Sequence, residues 1–263
     1  MQDGSTVSDR QFSAIAPHPF VSSLPDRLDG HCLFLDLDGT LLDLAEAPDA
    51  VVVPPGLQAH LSKLSILLGG ALALVTGRPL AFVDRLFPGN SFSLAGLHGA
   101  EIRSSHGGPA LLAATDRRLE SAKERLRHVA AKWAGVLVED KGLAVAAHYR
   151  QAPEMEIPVH ALMREIASSV PGWTLQCGKF VVELRPAGRD KGDAVRLFME
   201  RLPFSSRSPL AIGDDITDEK MFDTVNAMGG ASLRVGPPSA TTAAQGHIGT
   251  PDELRRWIEK LVS

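Results

Sequence analysis

Cysteine is scarce: only Cys32 and Cys177 occur in 263 residues, and they lie far apart. That excludes a disulfide-stapled scaffold and a closely spaced thiolate metal site. Both are expected to be buried free thiols in a reducing compartment, which points to the cytoplasm. A basic surplus is also lacking, since 27 lysines and arginines face 31 aspartates and glutamates for a formal net charge of −4. A general nucleic-acid binder needs that surplus for phosphate backbones, so this class is excluded. No apolar run is long enough to span a bilayer. The most apolar window, LSILLGGALALV, is interrupted by Gly69 and Gly70 and reads as a helix end, a turn and a buried strand. The segment before about Asp29 carries Pro17, Pro19 and Pro25 and no signal-peptide-like stretch. Residues 1–28 are expected to form a flexible N-terminal segment, and neither a membrane nor a nucleic acid is expected as a partner.

The chain does carry alternating buried strands and helices. HCLFLDLD reads as a buried parallel strand, and Pro54-Pro55 can start a helix running to about Leu67. ALALVTGR is a second strand ending in a glycine turn, AFVDRLF a short helix, and FSLAGLHGAEIR contains another strand. This alternation predicts a doubly wound α/β domain. From about Ser104 the pattern changes. HGGP reads as a linker, and Asp116 to Ala134 has helical spacing through Leu119, Ala122, Leu126, Val129 and Trp133. GVLVED and LAVAAHYR then form a hairpin around Lys141-Gly142, VHALMREIASSV a helix, and WTLQC and FVVELR a second hairpin around Cys177-Gly178-Lys179. This is an inserted α+β unit. After Pro186 the first style resumes with KGDAVRLFMERL, PLAIGDD, DEKMFDTVNAM, ASLRVG and PDELRRWIEKLV. The boundaries are set at 29–104 and 186–263 for the two parts of the α/β core and 105–185 for the insertion.

Two of the buried strands end in carboxylates: Asp36 with Asp38, and Asp214 with Asp215, followed by Asp218. In an open parallel sheet, ligands bind beyond the C-terminal strand ends. Carboxylates gathered there repel one another unless a cation joins them, and oxygen-only ligands favour Mg²⁺. Strand alternation starts Asp36 and Asp38 on the same side. One can attack phosphorus while the other reaches the leaving oxygen. VTGR offers the Thr76 hydroxyl and backbone N–H groups to a phosphoryl oxygen, and Lys191 adds a positive charge near a helix start.

In order along the chain, DLDGTL, VTGR, DKG and GDDITDE resemble the haloacid dehalogenase-type (HAD) phosphotransferases. The resemblance implies an α/β fold: a HAD-type, Rossmann-like parallel-sheet core with an inserted α+β cap domain of the C2 type. It implies Asp36 as nucleophile, forming an aspartyl-phosphate, and Asp38 as general acid and then base. Asp36, the Asp38 carbonyl and Asp214 would hold Mg²⁺ with support from Asp215 and Asp218, and Thr76 and Lys191 would hold the phosphoryl group. LAGLHGAEIR, VEDKGLAVAAHYR and GKFVVELRP, with GDDITDE, resemble more narrowly the trehalose-6-phosphate phosphatases. That implies a sugar phosphate as substrate; separately, a monomer is expected. The rivals are a related sugar-phosphate phosphatase or phosphomutase, and a non-catalytic regulatory domain of the same type.

Lys179, Val181, Glu183 and Arg185 share one strand face by period two, while Phe180, Val182 and Leu184 can pack on helices. By itself that face reads as a solvated surface with ion pairs. With the resemblance, Glu139, Lys141, Lys179 and Glu183 become sugar-binding residues, joined on the core side by Gly77 and Arg78. His98 and Glu101 are either a hydrogen-bonded structural pair or part of the outer wall of the site.

Overall fold

A computed structural model of the chain describes residues 24–45, 50–104, 111–112, 117–239 and 241–263. In chain order the first part of the core comprises β1 (His31–Leu35), α1 (Leu57–Leu67), β2 (Leu72–Val75), α2 (Leu80–Leu86), β3 (Ser93–Gly96), β4 (Glu101–Arg103) and β5 (Leu111–Leu112). The insertion comprises α3 (Arg117–Ala130), β6 (Leu137–Asp140), β7 (Val145–His148), α4 (Glu156–Ser168), β8 (Trp173–Gly178) and β9 (Val181–Pro186). The core then resumes with α5 (Lys191–Met199), β10 (Ser208–Gly213), α6 (Glu219–Ala227), β11 (Ala231–Val235), β12 (Gly246–Ile248) and α7 (Pro251–Val262).

Eight strands form one sheet in the order β12-β11-β10-β1-β2-β3-β4-β5. Pairing is parallel from β12 through β3 and antiparallel at the β3–β4 and β4–β5 pairs. The chain runs outward from β1 to β2 on one side and returns to β10 on the other. The crevice beyond the C-terminal ends of β1 and β10 is therefore the topological switch point, where this architecture binds ligands. β1 is central, and Cys32 to Leu35 are fully buried. Phe34 stacks on Phe204, with ring centroids 5.4 Å apart, and lies 6.2 Å from Phe198. Covering a strand like this on both faces is what fixes its ends; each fully buried Leu or Phe side chain contributes roughly 1.5–3 kcal/mol.

The insertion forms a separate antiparallel sheet in the order β6-β7-β9-β8. One face packs on α3 and α4, where Leu119, Leu126, Val159, Met163 and Ile166 bury Val145, Ala147, Val182 and Leu184. By strand alternation Glu183 and Arg185 then point the other way, toward the core. Four residues, 187–190, connect β9 to α5.

Several boundaries differ from the sequence expectation. The helix expected at Pro54-Pro55 begins at Leu57, behind Gly56 with φ +80°. FSLAGLHGAEIR is broken into β3 and β4 by a left-handed turn. The FVVELR strand starts only at Val181, because Lys179 and Phe180 form the hairpin turn, Phe180 with φ +61°. Cys177 is exposed rather than buried, since β8 is an edge strand of the smaller sheet; Cys32 is buried as expected. The HGGP linker and Asp116 lie outside the described residues, as do 1–23 of the N-terminal segment. Residues 24–28 pack on α7: Leu28 is buried, Trp257 Nε1 donates to the Pro25 carbonyl at 2.8 Å, and Lys260 pairs with Asp26. Among the described residues, no helix is long and apolar enough to cross a membrane.

α7 is started by Thr250, whose Oγ1 accepts from the Glu253 N–H at 3.2 Å, with Pro251 at the first helical position. Thr250→Ala should lower the free energy of unfolding by about 1 kcal/mol, and Thr250→Ser by only a few tenths. Urea unfolding followed by circular dichroism measures both, and an unchanged midpoint for the alanine variant would remove the cap.

Candidate active site

Asp36 follows β1 directly, and its N–H donates to the Ile212 carbonyl of β10, prolonging the ladder to the crevice. Its side chain is almost wholly buried, with Lys191 Nζ donating to Oδ1 at 2.6 Å. Lys191 also donates to Asp218 Oδ1 at 2.7 Å. The lysine is the first residue of α5, set there by a reciprocal cap: Asp190 accepts from the Asp193 N–H at 2.9 Å and Asp193 from the Asp190 N–H at 3.1 Å. Asp218 uses its other oxygen to accept from the N–H groups of Asp214 and Asp215, both at 3.0 Å. Thr40 Oγ1 lies 3.3 Å from Asp36 Oδ2 and 3.1 Å from Asp214 Oδ1, so it can donate to either. Gly39, with φ +84°, lets the two loops close on each other; a Cβ there would sit 2.2 Å from Asp214 Oδ2.

Oxygens of Asp36, Asp214 and Asp218 all lie within 4.8 Å of one another. Burial, with repulsion from the neighbouring carboxylates, pushes the Asp36 carboxyl well above the usual range although Lys191 opposes it. Burial and Asp218 push Asp214 up to about 7. Burial would lower the Lys191 ammonium, but Asp218 and Asp36 more than offset that and raise it. One ammonium thus leaves the cluster with surplus negative charge. An all-oxygen, negatively charged set of this kind fits a hard divalent cation. The side chains of the other two expected ligands have different partners. Asp38 is held by Arg78 through Nε to Oδ2 at 2.9 Å and Nη2 to Oδ1 at 2.8 Å. Asp215 accepts from the Ile216 N–H at 2.6 Å, capping the turn that carries Asp218.

Thr76 follows β2 directly, with its N–H bonded to the Ala95 carbonyl and its Oγ1 accepting from the Arg78 N–H at 3.1 Å. The Arg78 guanidinium stacks 4.5 Å over the Phe82 ring. Beside this loop, Leu97, His98 and Gly99 are consecutive left-handed residues with φ of +46°, +55° and +98°. Such conformations cost roughly 1–3 kcal/mol each for non-glycine residues. Two backbone bonds hold the turn: Leu97 N–H to the Arg78 carbonyl at 3.1 Å and His98 N–H to the Thr76 carbonyl at 3.0 Å. The His98 ring presses against Gly77, where a Cβ would lie 2.8 Å from it. His98 and Glu101 do not pair. Glu101 Oε2 instead accepts from the Leu80 N–H at 2.6 Å and caps α2, while His98 lines the cavity.

The smaller sheet supplies the facing wall. Lys141 Nζ donates to Glu183 Oε2 at 2.5 Å and lies 3.5 Å from the Gly77 carbonyl oxygen. Glu139 Oε2 pairs with His148 Nε2 at 2.8 Å, and its other oxygen is 4.0 Å from Arg78 Nη1. Burial would raise the Glu139 carboxyl, but His148, Lys141 and Arg78 together hold it below its usual value. The two walls enclose a cavity of about 200 Å³ that brings together Asp36, Asp38, Thr76, Gly77, Arg78, Lys191, Asp215, Glu139, Lys141 and Glu183. Asp214 and Asp218 are not among its lining residues. Lys179, carried by the hairpin turn, lines instead an adjoining cavity of about 250 Å³ with Arg150 and Leu137, which shares Asp38 and Arg78. Arg185 turns aside to Gln176 Oε1 at 3.0 Å and to the Arg189 carbonyl. Sequence reasoning passed over Thr40, His148 and Gln176. Thr40 was signalled by its place four residues after Asp36; the other two come from paired strands whose register no motif announces.

A sequence model of the family described as trehalose-phosphatase matches residues 34–246. The chain is 53% identical over 92% of its length to a probable trehalose-phosphate phosphatase of Sinorhizobium fredii, covering 91% of that protein. It is 39% identical, with the same coverage of each chain, to the trehalose-6-phosphate phosphatase of Escherichia coli. Its fold is similar to that of the C-terminal domain of C. albicans trehalose-6-phosphate phosphatase, with a TM-score of 0.78, 23% identity, and 89% and 92% of the two chains covered.

In the fold Asp214 gives up its proton only near pH 7, against about 3.8 when unperturbed, so without a cation stability should fall between those two values as pH rises. A bound cation removes that cost above pH 7 and must displace a proton below it. Added MgCl₂ should therefore raise the melting temperature more at pH 8 than at pH 6, and Asp214→Asn should remove most of the rise. Equal rises at both values would mean that Asp214 is ionised throughout.

Proposed function

The chain belongs to the trehalose-phosphatase family, and on that footing we propose that it hydrolyses trehalose 6-phosphate to trehalose and inorganic phosphate. One observation carries the reading: a single cavity has Asp36, Asp38, Thr76 and Lys191 on one wall and Glu139, Lys141 and Glu183 on the other. The first wall suits a phosphoryl group; the second offers acceptors and a donor in the mixture that sugar hydroxyls need. The adjoining cavity, which shares Asp38 and Arg78 with the first, supports a substrate larger than one sugar ring. The two unpaired thiols support a cytoplasmic setting.

Asp36 is the nucleophile in this reading. Its carboxylate attacks phosphorus, the bond to the sugar oxygen breaks, and Asp38 gives that oxygen a proton. Asp38 then takes a proton from a water molecule, which attacks the aspartyl-phosphate and frees phosphate. Dividing one difficult displacement into two is covalent catalysis. Lys191 and the Thr76 loop hold the phosphoryl oxygens by charge and hydrogen bonding. Asp36, Asp214 and Asp218 are the residues that would hold Mg²⁺, which when bound neutralises charge between these carboxylates and the phosphoryl group. Arg78 occupies both oxygens of Asp38 in this structure, so it has to leave before Asp38 can transfer a proton; Glu139 is within reach as its next partner.

Phosphate release from trehalose 6-phosphate, glucose 6-phosphate and sucrose 6-phosphate, each with and without Mg²⁺, tests the substrate. Trehalose 6-phosphate should be strongly preferred and Mg²⁺ required. Comparable turnover of glucose 6-phosphate would favour a related sugar-phosphate phosphatase instead.

Asp38→Asn separates the two carboxylate roles. Trehalose 6-phosphate hydrolysis should nearly stop, because a sugar alkoxide needs a proton to leave. p-Nitrophenolate leaves without one, so stopped-flow absorbance should show a burst approaching one per active site, followed by stalled turnover. Loss of both substrates with no burst, in a variant that still binds Mg²⁺, would overturn the acid–base role of Asp38.

A further inference from the structure

His98 stands outside the machinery just described, yet the fold spends three consecutive left-handed residues to place it. Its ring forms part of the cavity wall, against Gly77 and between the phosphate-loop backbone and the cap. Among the described residues the imidazole makes no hydrogen bond; the carboxylate within 4 Å of it is Glu183, with Nε2 3.9 Å from Oε1. That is too long for a hydrogen bond. Glu183 Oε1 is itself buried and without a donor, while Oε2 is taken by Lys141. A buried carboxylate oxygen left unpaired in this way requires an explanation.

We propose that His98 is a specificity-determining substrate contact: Nε2–H donates to a hydroxyl of the phosphorylated sugar, and the same hydroxyl donates to Glu183 Oε1. An oxygen about 2.8 Å from each atom fits a 3.9 Å gap at roughly a right angle. Only a group that both donates and accepts satisfies the two partners, which selects a hydroxyl over an ammonium or a carboxylate. Burial, aided by Lys191, Lys141 and Arg185, holds the imidazole neutral, so it keeps a single N–H to commit. His98 belongs to the core and Glu183 to the cap, so the hydroxyl is gripped as the two walls meet around it. The inference rests on the sugar-phosphate reading above.

Two variants and two substrates test it. Asparagine tolerates left-handed backbone well but is too short to bring an N–H to the Nε2 position; glutamine reaches that position yet suits the backbone less. His98→Asn should lower kcat/KM for trehalose 6-phosphate by about tenfold or more while leaving p-nitrophenyl phosphate, which has no sugar, nearly unchanged. His98→Gln should retain most of the trehalose 6-phosphate activity. Overturning results are an unaffected His98→Asn, an equal loss on both substrates, or a glutamine variant worse than the asparagine one, the order that backbone strain alone would give. If the wild-type protein hydrolyses p-nitrophenyl phosphate but not trehalose 6-phosphate, the substrate reading fails and this inference with it. Any of the preceding results with an active wild type overturns this inference alone.

Discussion

The ammonium of Lys191, buried between Asp36 and Asp218, is the interaction on which the rest of this structure depends. Taking three charged groups out of water is costly, and removing any one strands the others. The fold therefore surrounds the trio with fixed dipoles. Asp218 receives two backbone N–H groups from the β10 loop while holding Lys191, so it ties the end of β10 to the start of α5. The close approach also dictates glycine at Gly213, where a Cβ would lie 2.3 Å from the Asp218 carboxyl carbon. Backbone choices at the end of β10 and at the start of α5 follow from one buried cation.

The two walls of the cavity divide the work by kind of interaction. The core contributes concentrated charge, gathered at the switch point because strand ends meet there. The cap contributes paired acceptors and donors, Lys141 with Glu183 and Glu139 with His148. Such pairs offer both kinds of hydrogen-bonding partner, the mixture that hydroxyls need. Between them lies the Thr76–Arg78 loop, touched by the cap through Lys141 and Glu139 and by the left-handed turn through two backbone bonds.

The residues legible in the sequence were those whose position follows from an adjacent element. Asp36 and Asp214 end buried strands, and Lys191 opens a helix, so apolar runs and helical spacing located them before any coordinates. Period two also separated Glu183 from Val182 and Leu184 correctly. It failed at Lys179, because a two-residue hairpin turn interrupts the alternation and moves that side chain to the neighbouring cavity. The His98–Glu101 alternative could not be decided from sequence, since three successive positive φ values have no compositional signature beyond Gly99. Cys177 was misjudged because burial on an edge strand depends on what covers it, which is a tertiary fact. The short strand β12 lacks the length that makes periodicity readable.

The connection from β9 to α5 sets a gearing ratio between the two lobes. Ala187 is still tied to Gly172 by its N–H, and Asp190 is already committed to capping α5, so Gly188 and Arg189 are what separates the sheet that carries Glu183 from the helix that begins with Lys191. Even there the Arg189 carbonyl is held by Arg185 from β9. A lever this short transmits rather than absorbs rotation. On this side of the molecule, tilting the smaller sheet acts on the first turn of α5, and so on the ammonium that neutralises Asp36. A ligand that moved the sheet carrying Glu183 would therefore be felt as torque at Lys191, through a shaft two residues long.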